Sequence, residues 1–215
     1  MTIAFDLEWT RAGIDTLGIS WQDGLKAAAA DKNDTTFPQL LRVLNNAGRI
    51  AGHNVIDADI QKLKEAGVNV DHLQGKAFDT RLAFYATAGH LAGSGSFDLR
   101  SVLLLLGARQ GFRFPLDWKE YASDLHKTCA MDAAAVSYIV PTLDRLISQH
   151  KLELTVEILH QVAPIFRDMS LQGVKLDRSV LEQIHKDRKA KTEAAVERYH
   201  LWEERGKKVI KKVPI

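Results

Sequence analysis

With 215 residues, 46% of them hydrophobic and 26% charged, the chain has the makeup of an ordinary globular protein with room for one sizeable domain and an appendage, which excludes extended disorder. The longest apolar run, VLLLLG at 102–107, is far too short to span a bilayer, and the single cysteine, Cys129, excludes an internal disulfide and fits a reducing cytoplasm. The net charge of +2 hides an asymmetry: 12 of the 29 basic residues but only 7 of the 27 acidic ones follow residue 174, so a slightly acidic body carries a basic C-terminal arm suited to a polyanionic partner.

In chain order, residues 2–9 and 14–21 read as two strands joined by the short turn RAG, an antiparallel hairpin, and GLKAAAA (24–30) as a weaker third strand. TTFPQLLRVLNNAG is a helix with Thr35 or Thr36 as its cap and Leu40, Leu41 and Leu44 on one face. A short strand RIAGHN enters the helix IDADIQKLKEAG, and a brief strand GKAFDT exits into the helix TRLAFYATAG. The loop GSGSF, with Ser96 as cap, precedes the apolar helix ending at Gly107. Beyond Phe114 the pattern is helical: PLDWKEYASDLHKT, then MDAAAVSYIVPTLDRLISQH with Pro141 as a potential kink, then two long helices separated by the stop and cap QGVKLDRS. Strands first and helices between and after them predict an α/β fold, a small mixed sheet flanked by helices with a helical C-terminal extension. The expected division is 1–150 and 151–215.

The first strand carries the chemistry. Side chains alternate along a strand, so in IAFDLEWT the acids Asp6 and Glu8 share a face, about 7 Å apart, while Phe5, Leu7 and Trp9 share the other. Two carboxylates so placed repel unless a cation sits between them, and hard oxygen donors suit Mg2+ or Mn2+. An exposed edge strand with two solvated acids would look the same in isolation. Further acids fall at strand-to-helix junctions or helix heads: Asp57 and Asp59 after the GHN of His53 and Asn54, Asp79 in AFDTR, and Asp132 in CAMDAAAV.

FDLEW, HNVIDADIQKL, FDT with SFDLRSVLLLLG, and CAMDAAAV, in that order, resemble the motifs of the DEDD exonucleases. Their spacing is most similar to the proofreading 3′-5′ exonuclease domain of bacterial and phage family A DNA polymerases, over most of residues 1–150. The stretch LELTVEILHQVAPIFRDMSLQGVKLDRSVLEQI resembles the connector from which such polymerases begin their thumb. The resemblance implies a ribonuclease H-like sheet in a bacterial or phage-encoded cytoplasmic protein. It also implies a two-metal hydrolysis of DNA from the 3′ end to nucleoside 5′-monophosphates, with Asp6, Glu8, Asp59 and Asp132 as ligands of Mg2+ or Mn2+.

In the same reading Asn54, His53 and Trp9 contact substrate, Asp79 and Thr80 support the floor of the site, and Asp57 caps its helix. The implied partners are single-stranded DNA or primer 3′ ends and a separate polymerase polypeptide. One position departs from the pattern: where the family carries a Tyr four residues before the last Asp, or a His five before it, this chain has Thr128 and Lys127, with His126 and Tyr121 nearby. Thr128 is then the candidate for orienting the attacking water. Two alternatives stay open at this level, a ribonuclease-D-like RNA trimming enzyme and a DNA-binding module that has lost catalysis.

Overall fold

A computed structural model describes residues 1–91, 97–107, 124–173, 175 and 177–204. Five strands form one mixed sheet: β1 (Thr2–Thr10), β2 (Gly13–Trp21), β3 (Lys26–Asp31), β4 (Arg49–Gly52) and β5 (Ala77–Asp79), in the order β3-β2-β1-β4-β5. The β1–β2–β3 meander is antiparallel, whereas β4 and β5 run parallel to β1. Between and after them come α1 (Phe37–Asn46), α2 (Asp59–Glu65), α3 (Asp71–Gln74), α4 (Thr80–Ala88), α5 (Leu99–Gly107), α6 (Leu125–His150), α7 (Glu153–Gln172) and α8 (Arg178–Glu204). Among the described residues, no helix is long and apolar enough to cross a membrane.

The alternation of β1 separates two cores. Ile3, Phe5 and Leu7 bury against Leu40, Leu44, Ile60 and Leu63 of α1 and α2, while Ala4 faces the cluster built by α4, α5 and α6. Asp6 and Glu8 therefore continue the α6 face of the strand. Small residues let α6 lie close: Ala133, Ala134, Ala135 and Ser137 are buried along it, and Ser137 Oγ accepts a 3.0 Å hydrogen bond from the Gly24 N–H. Gly18, opposite Asp6 in the β1–β2 ladder, makes that approach feasible, because a Cβ built there would stand 2.4 Å from the Cys129 carbonyl oxygen.

Helix starts differ from the sequence reading in instructive ways. Asp34 serves the start of α1, its carboxylate accepting from the Thr36 N–H at 2.8 Å, because Thr36 is already in helical backbone with no side-chain cap bond of its own. Asp57 does not cap α2; it is exposed, and the cap position is Ala58. Asp98 caps α5 through Ser101 at 2.9 Å, the expected Ser96 lying outside the described residues. Most of the helix expected over 115–128 also lies outside them, but its end merges with the next one, and α6 runs unbroken through Pro141.

Two compact units divide the chain at Met169/Ser170 rather than at residue 150. The first unit includes α7 up to Met169, where the His160 ring stacks on Phe78 of β5 at 5.5 Å and Val156 is buried in the α6 core. In the second unit, Gly173 adopts the left-handed φ of +68° and Asp177 accepts from the N–H groups of Ser179 and Val180, which gives the stop and cap of the sequence reading. The side chains of α8 described through residue 197 are exposed.

Candidate metal centre

Parallel strands open a crevice at their C-terminal ends, and β1 outruns its neighbour there. The β1–β4 pairing stops at Ala4↔Ala51, so beyond it one edge of β1 is free of strand partners. Asp59, the first residue of α2, stands by that edge: the Leu7 backbone amide draws its pKa down against the effect of burial, and the residue is only 4% exposed. From the α6 side comes Asp132. One carboxylate oxygen each from Asp6, Glu8 and Asp132 lies within 4.8 Å of the others, so a strand and a helix distant in sequence meet over one spot.

The electrostatics are those of a cation site. Burial pushes the Asp6 carboxyl well above its ordinary range, and the neighbouring charges of Asp59, Asp132 and Glu8 push it further. Asp59 is raised chiefly by burial and then by Asp79, and Glu8 by burial and then by Asp15. Like charges gathered away from water are costly unless a counter-charge compensates them. Carboxylate oxygens are the donors Mg2+ and Mn2+ prefer, so three of them converging within 4.8 Å suit such an ion. Asp6, Glu8 and Asp132 are the residues that would hold it; Asp59, expected as a fourth ligand, acts on Asp6 through its charge but is not among the three whose oxygens converge.

Protons and cations then compete for the same oxygens. The native chain, with its raised carboxyls, keeps protons that the unfolded chain has already released, so the metal-free protein loses stability as pH climbs from the ordinary carboxylate range through the raised values. Added cation reverses that trend by binding the ionised form. Mn2+ affinity should accordingly rise with pH across this range and then level off; titrations at a pH series check this, and a pH-independent dissociation constant would contradict it.

Asp79 is placed in support. Fully buried, it caps α4, with Oδ1 accepting from Asn54 N at 3.1 Å and Arg81 N at 3.0 Å, and Oδ2 from Ile56 N at 3.2 Å. Asn54 sits in left-handed backbone at φ +64°, the conformation Asn tolerates, and its side-chain oxygen accepts from Arg81 Nη1 at 2.9 Å. The carbonyl end of the amide is thereby held by Arg81, which leaves the NH2 end as a donor. Thr80 Oγ1 bonds the Gly52 carbonyl at 3.1 Å.

His53 is held at both ends of its ring. Its Nδ1 lies 3.1 Å from Thr80 Oγ1 and its Nε2 2.7 Å from the Phe97 carbonyl oxygen, so both ring nitrogens tie the end of β4 to α4 and to the segment before α5. Burial lowers its pKa against the opposing effect of the Phe97 carbonyl. Trp9 lies beyond a register shift between Glu8 and Trp9, 44% exposed, with Lys62 Nζ of α2 4.7 Å from its ring centroid. Thr128 stands one turn before Asp132, its hydroxyl donating to the Asp124 carbonyl at 3.1 Å in a bond internal to α6. His126 is drawn to Asp31 at 2.7 Å, and Tyr121 lies outside the described residues.

No protein-family model and no curated protein matches the chain. Among solved structures it is similar to Brucella melitensis NrnC, at 15% identity with a TM-score of 0.57, over 80% of this chain and 85% of that one. The fold is ribonuclease H-like. That likeness supports the expected sheet, flanking helices and helical C-terminal region, and it does not single out the family A polymerase branch of the sequence resemblance. Sequence reasoning missed Arg81, His160 and Arg167, which touch the site's supporting loops. Their signal is a set of contacts across 27 to 111 positions, which no local spacing reports.

Proposed function

We propose that the chain is a divalent-metal-dependent 3′-5′ exonuclease that shortens single-stranded nucleic acid to nucleoside 5′-monophosphates, with DNA 3′ ends as its substrate and a polymerase polypeptide as the setting in which it works. The observation that carries this reading is the meeting of Asp6, Glu8 and Asp132 within 4.8 Å, with Asp59 buried on the free edge of the same strand. A ribonuclease H-like sheet supplies a frame in which such a cluster sits at the C-terminal end of the central strand. Bound there, Mg2+ or Mn2+ ions would activate a water and stabilise the departing 3′ oxygen.

The residues of the chain do the rest. Asp6 and Glu8 are fixed by the β1–β2 ladder, and Asp132 by the close seating of α6, so the oxygens are arranged before any substrate arrives. Asn54 offers its NH2 to the terminal nucleotide. Trp9, half exposed, offers an aromatic surface to an unpaired strand, with the Lys62 ammonium over its ring held by Glu65 at 2.6 Å. With Thr128 bonded into its own helix, help to the attacking water is weak, and the expected enzyme is slow, by about 10²- to 10⁴-fold relative to one with a full general base.

Incubation of 5′-labelled single-stranded DNA and RNA with the protein and Mn2+ or Mg2+ tests the reading. A ladder of DNA products shortened from the 3′ end, abolished by EDTA, is the expected result. Shortening of RNA alone would replace DNA by RNA as the substrate. No shortening of either, with binding retained, would select a module that holds nucleic acid without cleaving it.

A further inference from the structure

Helix α7 carries none of the acids, yet it grips the segment that delivers Asp59. Residues 53–58, between the end of β4 and the first residue of α2, form neither helix nor strand, and Asn54 within them is in left-handed backbone. The segment's own backbone bonds, Ala58 N–H to the Asn54 carbonyl and Ile60 N–H to the Val55 carbonyl, both at 3.0 Å, close the turn but do not tie it to the rest of the sheet. Two links to α7 do. The Asp79 backbone N–H donates to His160 Nε2 at 2.7 Å, while His160 Nδ1 donates to the Val156 carbonyl at 2.7 Å, which fixes the tautomer and aims the Nε2 lone pair at the strand. Asp79 in turn holds the N–H groups of Asn54 and Ile56. From the opposite side, Arg167 Nη1 donates to the Ile56 carbonyl at 3.0 Å, with its Nε and Nη2 anchored on Asp168 at 3.0 and 2.8 Å. Arg167 is only 9% exposed. The segment is thus held by its amides on Asp79 and by a carbonyl on Arg167, three residues before Asp59.

We infer that α7 is a brace for the metal centre and that His160 and Arg167 are positioning residues that set Asp59 against the Asp6 strand. This rests on the proposed site and deepens it: the helix that the sequence assigns to a connector is part of the machinery that tunes cation binding. Groups that orient a ligand from behind commonly change metal affinity by about 10- to 100-fold when removed.

The test compares the full-length protein with His160→Ala, His160→Gln and Arg167→Met, reading the Mn2+ dissociation constant by calorimetric titration, kcat and KM on single-stranded oligonucleotide, and the melting temperature. His160→Ala is expected to weaken Mn2+ binding by about 10- to 100-fold and to lower kcat in parallel, leaving KM for the oligonucleotide within about twofold. His160→Gln, whose amide oxygen can accept the Asp79 N–H, should recover most of the loss. Because His160 lines an open cleft of about 910 Å³ between β5 and α7, added imidazole should also restore Mn2+ binding to His160→Ala. Arg167→Met should show the same signature from the other side of the segment.

Unchanged Mn2+ affinity in His160→Ala and Arg167→Met with a lowered melting temperature, or a His160→Gln protein no better than His160→Ala, would overturn the brace while leaving the exonuclease reading standing. A wild-type protein that binds Mn2+ but cleaves no nucleic acid would sink the exonuclease reading, and a loss of that Mn2+ affinity in His160→Ala would still uphold the brace. Absence of Mn2+ binding to the wild type would overturn both.

Discussion

Asp6→Asn should slow nucleic acid hydrolysis by about 10³-fold or more and, in EDTA, raise the melting temperature of the protein. The two effects have opposite signs because one carboxylate serves two equilibria. With cations present, Asp6 is the ligand that shares its oxygens with the Glu8 and Asp132 cluster, and losing several kcal/mol of metal stabilisation in the transition state translates into about three decades of rate. Without cations, the same carboxyl is pushed up by burial and by three neighbouring acids, so its ionised form opposes folding. An amide of the same shape carries no charge to desolvate or repel. Each pKa unit of the Asp6 shift corresponds to about 1.4 kcal/mol, and 1 kcal/mol moves the melting temperature of a chain this size by about 2–4 °C. Thermal melts of both proteins in EDTA and in Mn2+ provide the check: the variant should melt higher in EDTA and lack the Mn2+-induced rise. A variant that melts lower than wild type in EDTA would show that Asp6 is paired rather than poised for a cation.

Gly18→Ala should damage both the fold and the site, although the residue contributes no side chain to either. A Cβ at position 18 would stand 2.4 Å from the Cys129 carbonyl oxygen and 2.6 Å from its carbon, both of them backbone atoms of α6, so the helix has to move. Overpacking of this kind costs about 1–3 kcal/mol. Its functional consequence is larger, because Asp132 rides on the same helix one turn further on, and a displacement near 1 Å can cost about 10²-fold in rate. Circular dichroism and melting should show a folded but less stable protein, with weaker Mn2+ binding and activity reduced by about 10²-fold. Wild-type Mn2+ affinity in this variant would show that α6 is not what brings Asp132 to the strand.

Much of the site was legible in the sequence because it rests on strong local rules. Alternation along β1 places Asp6 and Glu8 together, and an acid leading a run of small residues marks Asp132, although it lies two turns inside α6 rather than at the head of a helix; the alanines that follow let α6 sit close to the sheet. The choice of Asp59 over Asp57 rested on the family-like spacing, and the structure has Asp59 buried with Asp57 exposed. What failed to show were contacts without periodicity. His53 reads as a site residue because it adjoins Asn54, yet its two nitrogens are spent on Thr80 and Phe97, partners 27 and 44 positions away. Asp34 displaces Thr36 at the start of α1 because the chain turns one residue earlier than the capping rule assumes. An amphipathic helix such as α7 announces that it packs, but the choice of the β5 edge as its partner is made by His160 against Phe78 and Arg167 against Ile56.

The most direct test of the account is anomalous diffraction from crystals of the protein grown with Mn2+. Mn2+ should be held by Asp6, Glu8 and Asp132, with the Asp59 carboxylate turned toward the same cluster. Crystals in which those carboxylates bind no Mn2+, while nucleic acid is nonetheless cleaved in its presence, would contradict it.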